Sequence, residues 1–250
     1  MKHKALMRGA AAWAIVSALL TLAFGAPAAV TFSASSGSRS ACVAFDIDLS
    51  GNLRVALNNT SVADTLVPSE VLTAVFFNIA GNPTLTRLTG VLAPGSQVFY
   101  DPDGQPPGGV IGGEWAYRNG LSQYGANSGI SSAGLGLFGP GDRFPGNDLA
   151  PPLSPDGIQY GLLSAGDNPT TQNGGLAGSG GLIRNAVIFT LGNLPLGFTL
   201  AQISNVTFQY GTGFDEPHLA VAVPEPSTFL AGALLLIPLV AQLRRRKPGV

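Results

Sequence analysis

The segment ACVAFDIDLSGNLRVAL, residues 41–57, predicts the fold class because apolar side chains alternate along it with small or polar ones. A period of two places one set of side chains in a core and the other towards water. Ser50-Gly51-Asn52 interrupts the alternation and predicts a turn. We therefore expect a β-hairpin whose core-facing residues are Val43, Phe45, Ile47, Leu49, Leu53, Val55 and Leu57.

Other apolar runs predict further strands. Residues 71–79 form a nearly continuous apolar run, which is typical of a buried central strand. Residues 85–92 are expected to pair with that strand across the turn at 81–83. Residues 182–191 and 203–210 predict the last two strands.

Residues 94–181 are dense in Gly and Pro, yet they contain several aromatic residues. Disordered segments are poor in aromatic residues, so we expect ordered loops with short strands here. The predicted fold class is mainly β. We expect a β-sandwich with a long Gly/Pro-rich loop insertion, and a jelly-roll-like topology is one form that it could take. A transmembrane helix is expected after it, near the C-terminus.

The first 28 residues have the three parts of a secretory signal peptide. Lys2, Lys4 and Arg8 form a basic region, residues 10–24 are mostly apolar, and Ala26-Pro27-Ala28 is a small-x-small site for signal peptidase. We expect cleavage after Ala28 or Ala29, with an uncleaved N-terminal anchor as the alternative. The residues that follow are therefore predicted to be exported.

The last 28 residues predict a membrane segment bounded by two distinct flanks. Pro224-Glu225-Pro226 precedes the almost wholly apolar run 229–243, and Arg244, Arg245, Arg246 and Lys247 follow it. As a helix, residues 227–243 would span about 25 Å at about 1.5 Å per residue, which barely crosses a hydrocarbon core of about 30 Å. The basic residues should remain cytoplasmic and act as a stop, which leaves the preceding domain outside.

This order of three parts resembles the PEP-CTERM sorting signal of Gram-negative bacteria. The resemblance covers about the last tenth of the chain and rests on the Pro224-Glu225-Pro226 triplet, the short apolar helix and the Arg-rich end. It implies processing by a membrane protease of the exosortase type and association with exopolysaccharide or biofilm matrix. The domains predicted are a signal peptide (1–28), an exported β-rich domain (29–222) and a sorting signal (223–250).

The exported domain is acidic. Six arginines, no lysine and thirteen carboxylate residues lie between positions 29 and 222, for a net charge near −7. Phosphate backbones attract basic patches, so this charge argues against a nucleic-acid partner. The lack of lysine also excludes a P-loop in this domain. An acidic surface is compatible with divalent cations or a neutral polysaccharide.

Two unique side chains limit the chemistry of the domain. Cys42 is the only cysteine, so no intramolecular disulfide can form. We expect a half-buried strand residue there, with a disulfide between two chains as the alternative. His218 is the only histidine left after signal removal. A Ser-His-Asp triad would need it, but its place after Pro217, near the tail, predicts a mobile position that is poorly suited to catalysis.

Calcium is the metal that the sequence allows, because calcium accepts oxygen ligands. Asp101 and Asp103 lie in an Asp-Pro-Asp-Gly loop and are the candidate ligands, although such pairs also form ordinary turns. The run 46–52 resembles the start of a calcium loop, but Asp46 and Asp48 also fit the polar face of a strand, which we favour. No other cofactor is predicted.

Glu114 beside Trp115 suggests either a glycosidase carboxylate or a sugar-binding surface. A glycosidase needs two placed carboxyl groups, and the sequence selects no partner for Glu114. Trp115, Tyr117 and Tyr124 could stack on sugar rings, whereas the alternative for Trp115 is a core anchor. We therefore expect a non-enzymatic surface or matrix protein, with a carbohydrate-binding module and a secreted glycan-active enzyme as alternatives.

Overall fold

The computed structural model describes residues 29–101, 104–171, 175–176, 178 and 180–222. The predicted signal peptide, sorting signal and transmembrane helix lie outside these residues, as does Asp103. The described part is mainly β. Its strands are β1 (Val30–Ser36), β2 (Arg39–Ile47), β3 (Leu53–Asn59), β4 (Leu72–Ile79), β5 (Thr86–Leu92), β6 (Gln97–Phe99), β7 (Ala116–Asn119), β8 (Ser128–Ser131), β9 (Leu162–Leu163), β10 (Leu182–Arg184), β11 (Ala186–Gly192), β12 (Ile203–Tyr210) and β13 (His218–Ala220).

Short 3₁₀ helices lie between some of the strands. They span Pro68–Glu70, Pro107–Gly109, Gly112–Glu114, Gln123–Gly125, Pro140–Asp142 and Leu200–Gln202. Within the described residues no helix is both long enough and apolar enough to cross a membrane.

The first sheet is antiparallel, with strand order β1-β2-β3-β11-β5. The predicted hairpin is confirmed, because Val43 pairs with Leu57 and Phe45 pairs with Val55. The prediction for Leu49 was wrong, since this side chain is fully exposed. The carboxylate of Asp48 accepts backbone N–H bonds from residues 50 and 52, which closes the turn early and leaves Leu49 at its tip.

The second sheet has the order β13-β12-β4-β9-β10-β6, and the β7–β8 hairpin joins it through β4. The predicted central strand is confirmed: β4 pairs with β12 on one side and with β8 and β9 on the other. Both of its faces are buried. Phe77 belongs to the main core and Phe76 packs in a separate cluster with Phe138. The strand predicted at 203–210 is β12.

Two predicted strand relations were wrong. The predicted partner of β4, residues 85–92, is β5, which pairs instead with β11 in the first sheet. The predicted strand 182–191 divides at Asn185, whose φ is +92°. On either side of this residue β10 belongs to the second sheet and β11 to the first. Apolar runs that fill either sheet are alike in composition, so local sequence does not assign them.

The Gly/Pro-rich segment is part of the second sheet and not only an insertion. It supplies β6, β7, β8 and β9. Its loops also cover the outer face of that sheet, where Phe138 and Ala126 are buried beside Phe76. Short strands bounded by Gly and Pro give a weak periodic signal, which is why the sequence favoured a loop insertion.

One core lies between the two sheets. Phe45 of β2 and Phe77 of β4 meet edge to face, with ring centroids 5.1 Å apart. Phe189 of β11 packs against Trp115 at 5.0 Å and stacks on Phe144 at 5.0 Å. Both of these partners come from the Gly/Pro-rich segment, which therefore contributes aromatic residues to the core.

Candidate functional site

The aromatic residues that were candidates for sugar stacking do not form one surface. Trp115 is 0% exposed, and its indole Nε1 donates to the carbonyl oxygen of Tyr160 at 3.0 Å. Tyr117 is also buried, which raises the pKa of its phenol. Neither ring reaches solvent, so the structure places neither residue where it could stack on a sugar. Trp115 is the core anchor that the alternative predicted.

Tyr124 lies apart from the other two, half-buried on the outer side of the second sheet. Its backbone φ is +56°, its hydroxyl donates to the side-chain oxygen of Gln209, and its backbone oxygen accepts from Asn205. One face of the ring stacks on His218 at 4.6 Å, and Phe214 meets it edge-on at 5.9 Å. The ring is thus held from several sides, with only part of it towards solvent.

The prediction that His218 is mobile was wrong. It begins β13 and pairs with Gln209 of β12, and its exposed ring lies on Tyr124. Among the hydrogen bonds of the described residues, none joins the His218 ring to a serine or an aspartate. The contacts present are those of a surface aromatic pair and not of a catalytic triad.

Glu114 is buried and braces a loop. Its Oε1 accepts backbone N–H bonds from Leu149 at 2.6 Å and Ala150 at 3.1 Å. Burial raises the pKa of this carboxyl, and the two hydrogen bonds oppose the rise. Arg143 holds the same loop, with its guanidinium 2.9 Å from Asp148 and 3.0 Å from the carbonyl oxygen of Gly113.

The backbone beside Glu114 explains why glycines precede it. A Cβ on Gly112 would collide with the carbonyl oxygen of Pro145, and one on Gly113 with that of Asn147. The pair Gly112-Gly113 therefore lets two backbone segments touch. The Gly112-Gly113-Glu114 sequence was the available signal of a packed loop, although the residue types alone indicate only a carboxylate beside a tryptophan.

The predicted calcium residues are only partly described. The Asp101 carboxylate accepts a hydrogen bond from the Tyr160 hydroxyl, while Asp103 lies outside the described residues. Among the residues that the structure describes, no three His, Cys, Asp or Glu side chains gather closely enough to hold a metal ion. Calcium at Asp101 and Asp103 stays a prediction.

In the run 46–52 the strand alternative is confirmed for Asp46, which lies in β2, and is wrong for Asp48, which lies in the turn after β2. The Asp46 carboxylate lies 3.5 Å from the Arg54 guanidinium on the polar face of the hairpin. Asp48 is occupied by the turn, and the backbone bond from Asn52 is the main cause that lowers its pKa. Cys42 is half-buried on β2, as expected, and burial raises the pKa of its thiol.

A polar cluster that the sequence did not reveal joins the loop at 60–65 to the loop at 164–171. Asp167 is 5% exposed; its Oδ1 accepts from the Thr65 N–H at 2.7 Å, while its buried Oδ2 has no hydrogen-bond partner. Burial raises its pKa and nearby Asp64 adds to the rise. Asp64 accepts from the Asn168 N–H at 2.9 Å and the Thr171 hydroxyl at 3.0 Å. These contacts hold the two loops together.

An open cleft of about 380 Å³ lies where β1 approaches β12 and where the described chain ends. Residues 31–33, 203–206 and 221–222 line it. None of these carries a charge. The cleft therefore offers apolar and neutral polar groups without the convergent charges of a catalytic site.

No protein-family model matches the chain, and neither the curated proteins nor the solved structures contain a match to it.

Proposed function

We propose that this chain is an exported, non-enzymatic protein of the cell surface or biofilm matrix of a Gram-negative bacterium, sorted by an exosortase-type protease. One observation carries the proposal: Pro224-Glu225-Pro226, an apolar run of membrane length and the basic residues 244–247 follow one another in the order of a PEP-CTERM signal. The signal peptide at the other end supports export through signal peptidase. Exopolysaccharide is the proposed surrounding matrix.

The strands of the described residues all lie within the predicted exported domain, residues 29–222, which is called the body below. The first strand begins at Val30, directly after the proposed cleavage sites at Ala28 and Ala29. The last strand ends at Ala220, and the Val221 N–H still bonds to the Val206 carbonyl oxygen at 2.9 Å.

We further propose that the two sheets form a β-sandwich, supported by the rings of Phe45 and Phe77 that meet between them. The parallel pairing of β9 with β10 departs from a jelly roll, whose strands are antiparallel. Such a body suits a structural or adhesive role. Its buried carboxylates support this, since Glu114 and Asp167 both accept backbone N–H bonds and hold loops in place.

The proposal is tested in the native host by changing the triplet. Pro224→Ala together with Glu225→Ala should leave the protein in the inner membrane, because the processing protease no longer recognises it. The control is Ser227→Ala, one residue beyond the triplet, which should reach the surface or the medium like the wild type. Equal release of both variants would overturn the proposal.

A carbohydrate-binding module retained in exopolysaccharide is the second candidate, and Tyr124 favours it. This half-buried ring and the exposed His218 form an aromatic pair at the surface, and such rings can stack on sugars. Affinity electrophoresis in host exopolysaccharide should then retard the wild type and not Tyr124→Ala. Equal mobility of the two proteins would exclude this candidate at Tyr124.

A further inference from the structure

Strand β1 forms one edge of the first sheet, and among the described residues no strand is hydrogen-bonded to its outer side. It pairs with β2 alone, in an unbroken register from Val30↔Phe45 to Ser36↔Arg39. No bulge interrupts its seven residues. Residues 29–38 contain neither a charged residue nor a proline. Among the described residues, no backbone group of 30–36 bonds to anything other than β2.

The edge at β5 differs because a neighbouring segment covers it. Val110 forms a bridge with Val91, and the Ile111 N–H bonds to the Gly90 carbonyl oxygen at 3.0 Å. The pairing of β5 with β11 also contains a register shift. This edge is therefore closed to an additional strand.

The edges of the second sheet are short or covered. At β6 the amide of Gln105 accepts from the Val98 N–H at 2.8 Å and donates to the Val98 carbonyl oxygen at 2.6 Å, in the way a neighbouring strand would. At β7 the Arg87 guanidinium bonds to the Tyr117 carbonyl oxygen at 3.2 Å. Strand β13 has only three residues.

An open, uncharged edge strand is a template for another strand, and proteins commonly block such edges with charge, proline, bulges or covering loops. Among the residues that the structure describes, such blocking features occur at β5, β6 and β7, and none occurs at β1. We propose that β1 pairs antiparallel with β1 of a second copy, across a twofold axis, so that the first sheets of two molecules become one continuous sheet.

Charge favours a second copy as the occupant. The body carries a net charge near −7, so two copies repel each other over most of their surfaces. Residues 29–38 carry no charge, and they are where two acidic molecules can approach with the least repulsion. In a pairing centred on Ser33, serine faces serine and Phe32 faces Ala34, so no two bulky side chains oppose each other.

Part of the surroundings of β1 is open. Its residues 31–33 border the open cleft of about 380 Å³, whose other wall is formed by residues 203–206 and 221–222, and β13 lies near β1 on this side. Thr31, Ser33 and Ser35 are exposed. The proposed β1 pairing requires only this edge and does not rest on the sorting proposal. An experiment can therefore overturn one of the two proposals and leave the other standing.

The first test measures the oligomeric state of the full chain in mild detergent by sedimentation velocity, over a wide range of concentrations. We expect a dimer. Thr31→Lys with Ser33→Lys places like charges across the pair and should weaken dimerisation about a hundredfold. The matched control is Thr86→Lys with Thr89→Lys, which makes the same charge change at exposed positions of the covered edge β5. The control should dimerise like the wild type, and circular dichroism should show all three proteins folded.

A second test detects the pairing directly. Ser33 is the register partner of Cys42, so Cys42→Ala removes the intrachain competitor. In that background Ser33→Cys should form disulfide-linked dimers on mild oxidation, whereas Thr89→Cys should not. A monomeric wild type, or a dimer that Thr31→Lys with Ser33→Lys leaves intact, would overturn the proposal. If the chain's own tail covered this edge, the wild type would be monomeric. If the apolar tail held the dimer together, the variant with Thr31→Lys and Ser33→Lys would remain dimeric.

Discussion

The indole N–H of Trp115 points at the carbonyl oxygen of Tyr160, with 3.0 Å between the two heavy atoms. The same indole ring packs on Phe189 of β11, with centroids 5.0 Å apart. Trp115 therefore connects two distant parts of the Gly/Pro-rich segment, around residues 115 and 160, and packs against the first sheet through Phe189. A residue with these contacts stabilises the body and does not present a surface to a ligand.

Substitution of Trp115 should consequently act on folding. Trp115→Ala should lower the free energy of unfolding by about 3–5 kcal/mol, since it empties a core site. Trp115→Phe should cost about 1–3 kcal/mol, since the Tyr160 carbonyl loses its donor. Denaturant unfolding of the full chain measures both, with the fully exposed Leu196→Ala as a control near zero. Normal stability of Trp115→Ala would contradict the assignment of this residue to the core.

Two substitutions at Glu114 distinguish the role of its side-chain oxygen as a hydrogen-bond acceptor from the role of its negative charge. Glu114→Gln keeps an oxygen that can accept from Leu149 and Ala150, so the cost in unfolding free energy should be small. Glu114→Ala leaves the partly buried N–H groups of Leu149 and Ala150 without this acceptor. It should cost at most about 1–3 kcal/mol for each N–H that stays unpaired. Thermal unfolding distinguishes the two variants, with Asp215→Ala, an exposed carboxylate, as the control. A catalytic Glu114 would instead show loss of a turnover with both variants and little change in stability.

The pH dependence of stability should reflect the two buried carboxyls. Burial raises the pKa of Glu114 and of Asp167 above the values of about 4 that such groups have in the unfolded chain. The folded state then binds protons more tightly, so this contribution to stability is complete below the unfolded pKa and is lost as the pH rises through the folded pKa.

Glu114→Gln with Asp167→Asn should therefore show a smaller fall in unfolding free energy across that window than the wild type. Denaturant midpoints measured at a series of pH values check this, and Asp48, whose pKa is lowered, contributes equally to both proteins. A steeper fall in the double variant would contradict the assigned shifts.

The glycines before Glu114 make a steric prediction. Gly113→Ala would drive a methyl group into the Asn147 backbone, so it should destabilise the body severely or prevent folding. Gly141→Ala adds the same methyl group where no atom lies within 4 Å and should change little. Yield and thermal unfolding of the two variants provide the comparison. Equal stability would mean that the loop at 145–148 does not pack on Gly113.

Local patterns were sufficient for part of this fold. The alternation at 41–57 and the apolar run at 71–79 correspond to β2, β3 and β4, because a half-buried or buried strand imposes its own period. The change of sheet at Asn185 was not accessible in this way. It depends on a single residue of positive φ between two apolar segments, each of which could fit either sheet.

The candidate sites depend on long-range contacts to a greater extent. The Asp167 carboxylate meets the Thr65 N–H across 102 residues, and no short motif marks such a pair. For Trp115 the sequence allowed both a sugar platform and a core anchor, and only packing on Phe189 decides between them. The targeting signals proposed at 1–28 and 223–250 are linear and need no tertiary contacts, so the sequence alone can predict them.

The most direct test of the sorting proposal is the intact mass of the native protein, recovered separately from the membrane and extracellular fractions of its host. The account predicts that the surface or extracellular form lacks the first 28 or 29 residues and the tail beyond Pro226. A protein that has lost only its signal peptide, keeps Arg244 to Lys247 and remains in the inner membrane would contradict it. The C-terminal segment would then be an ordinary anchor.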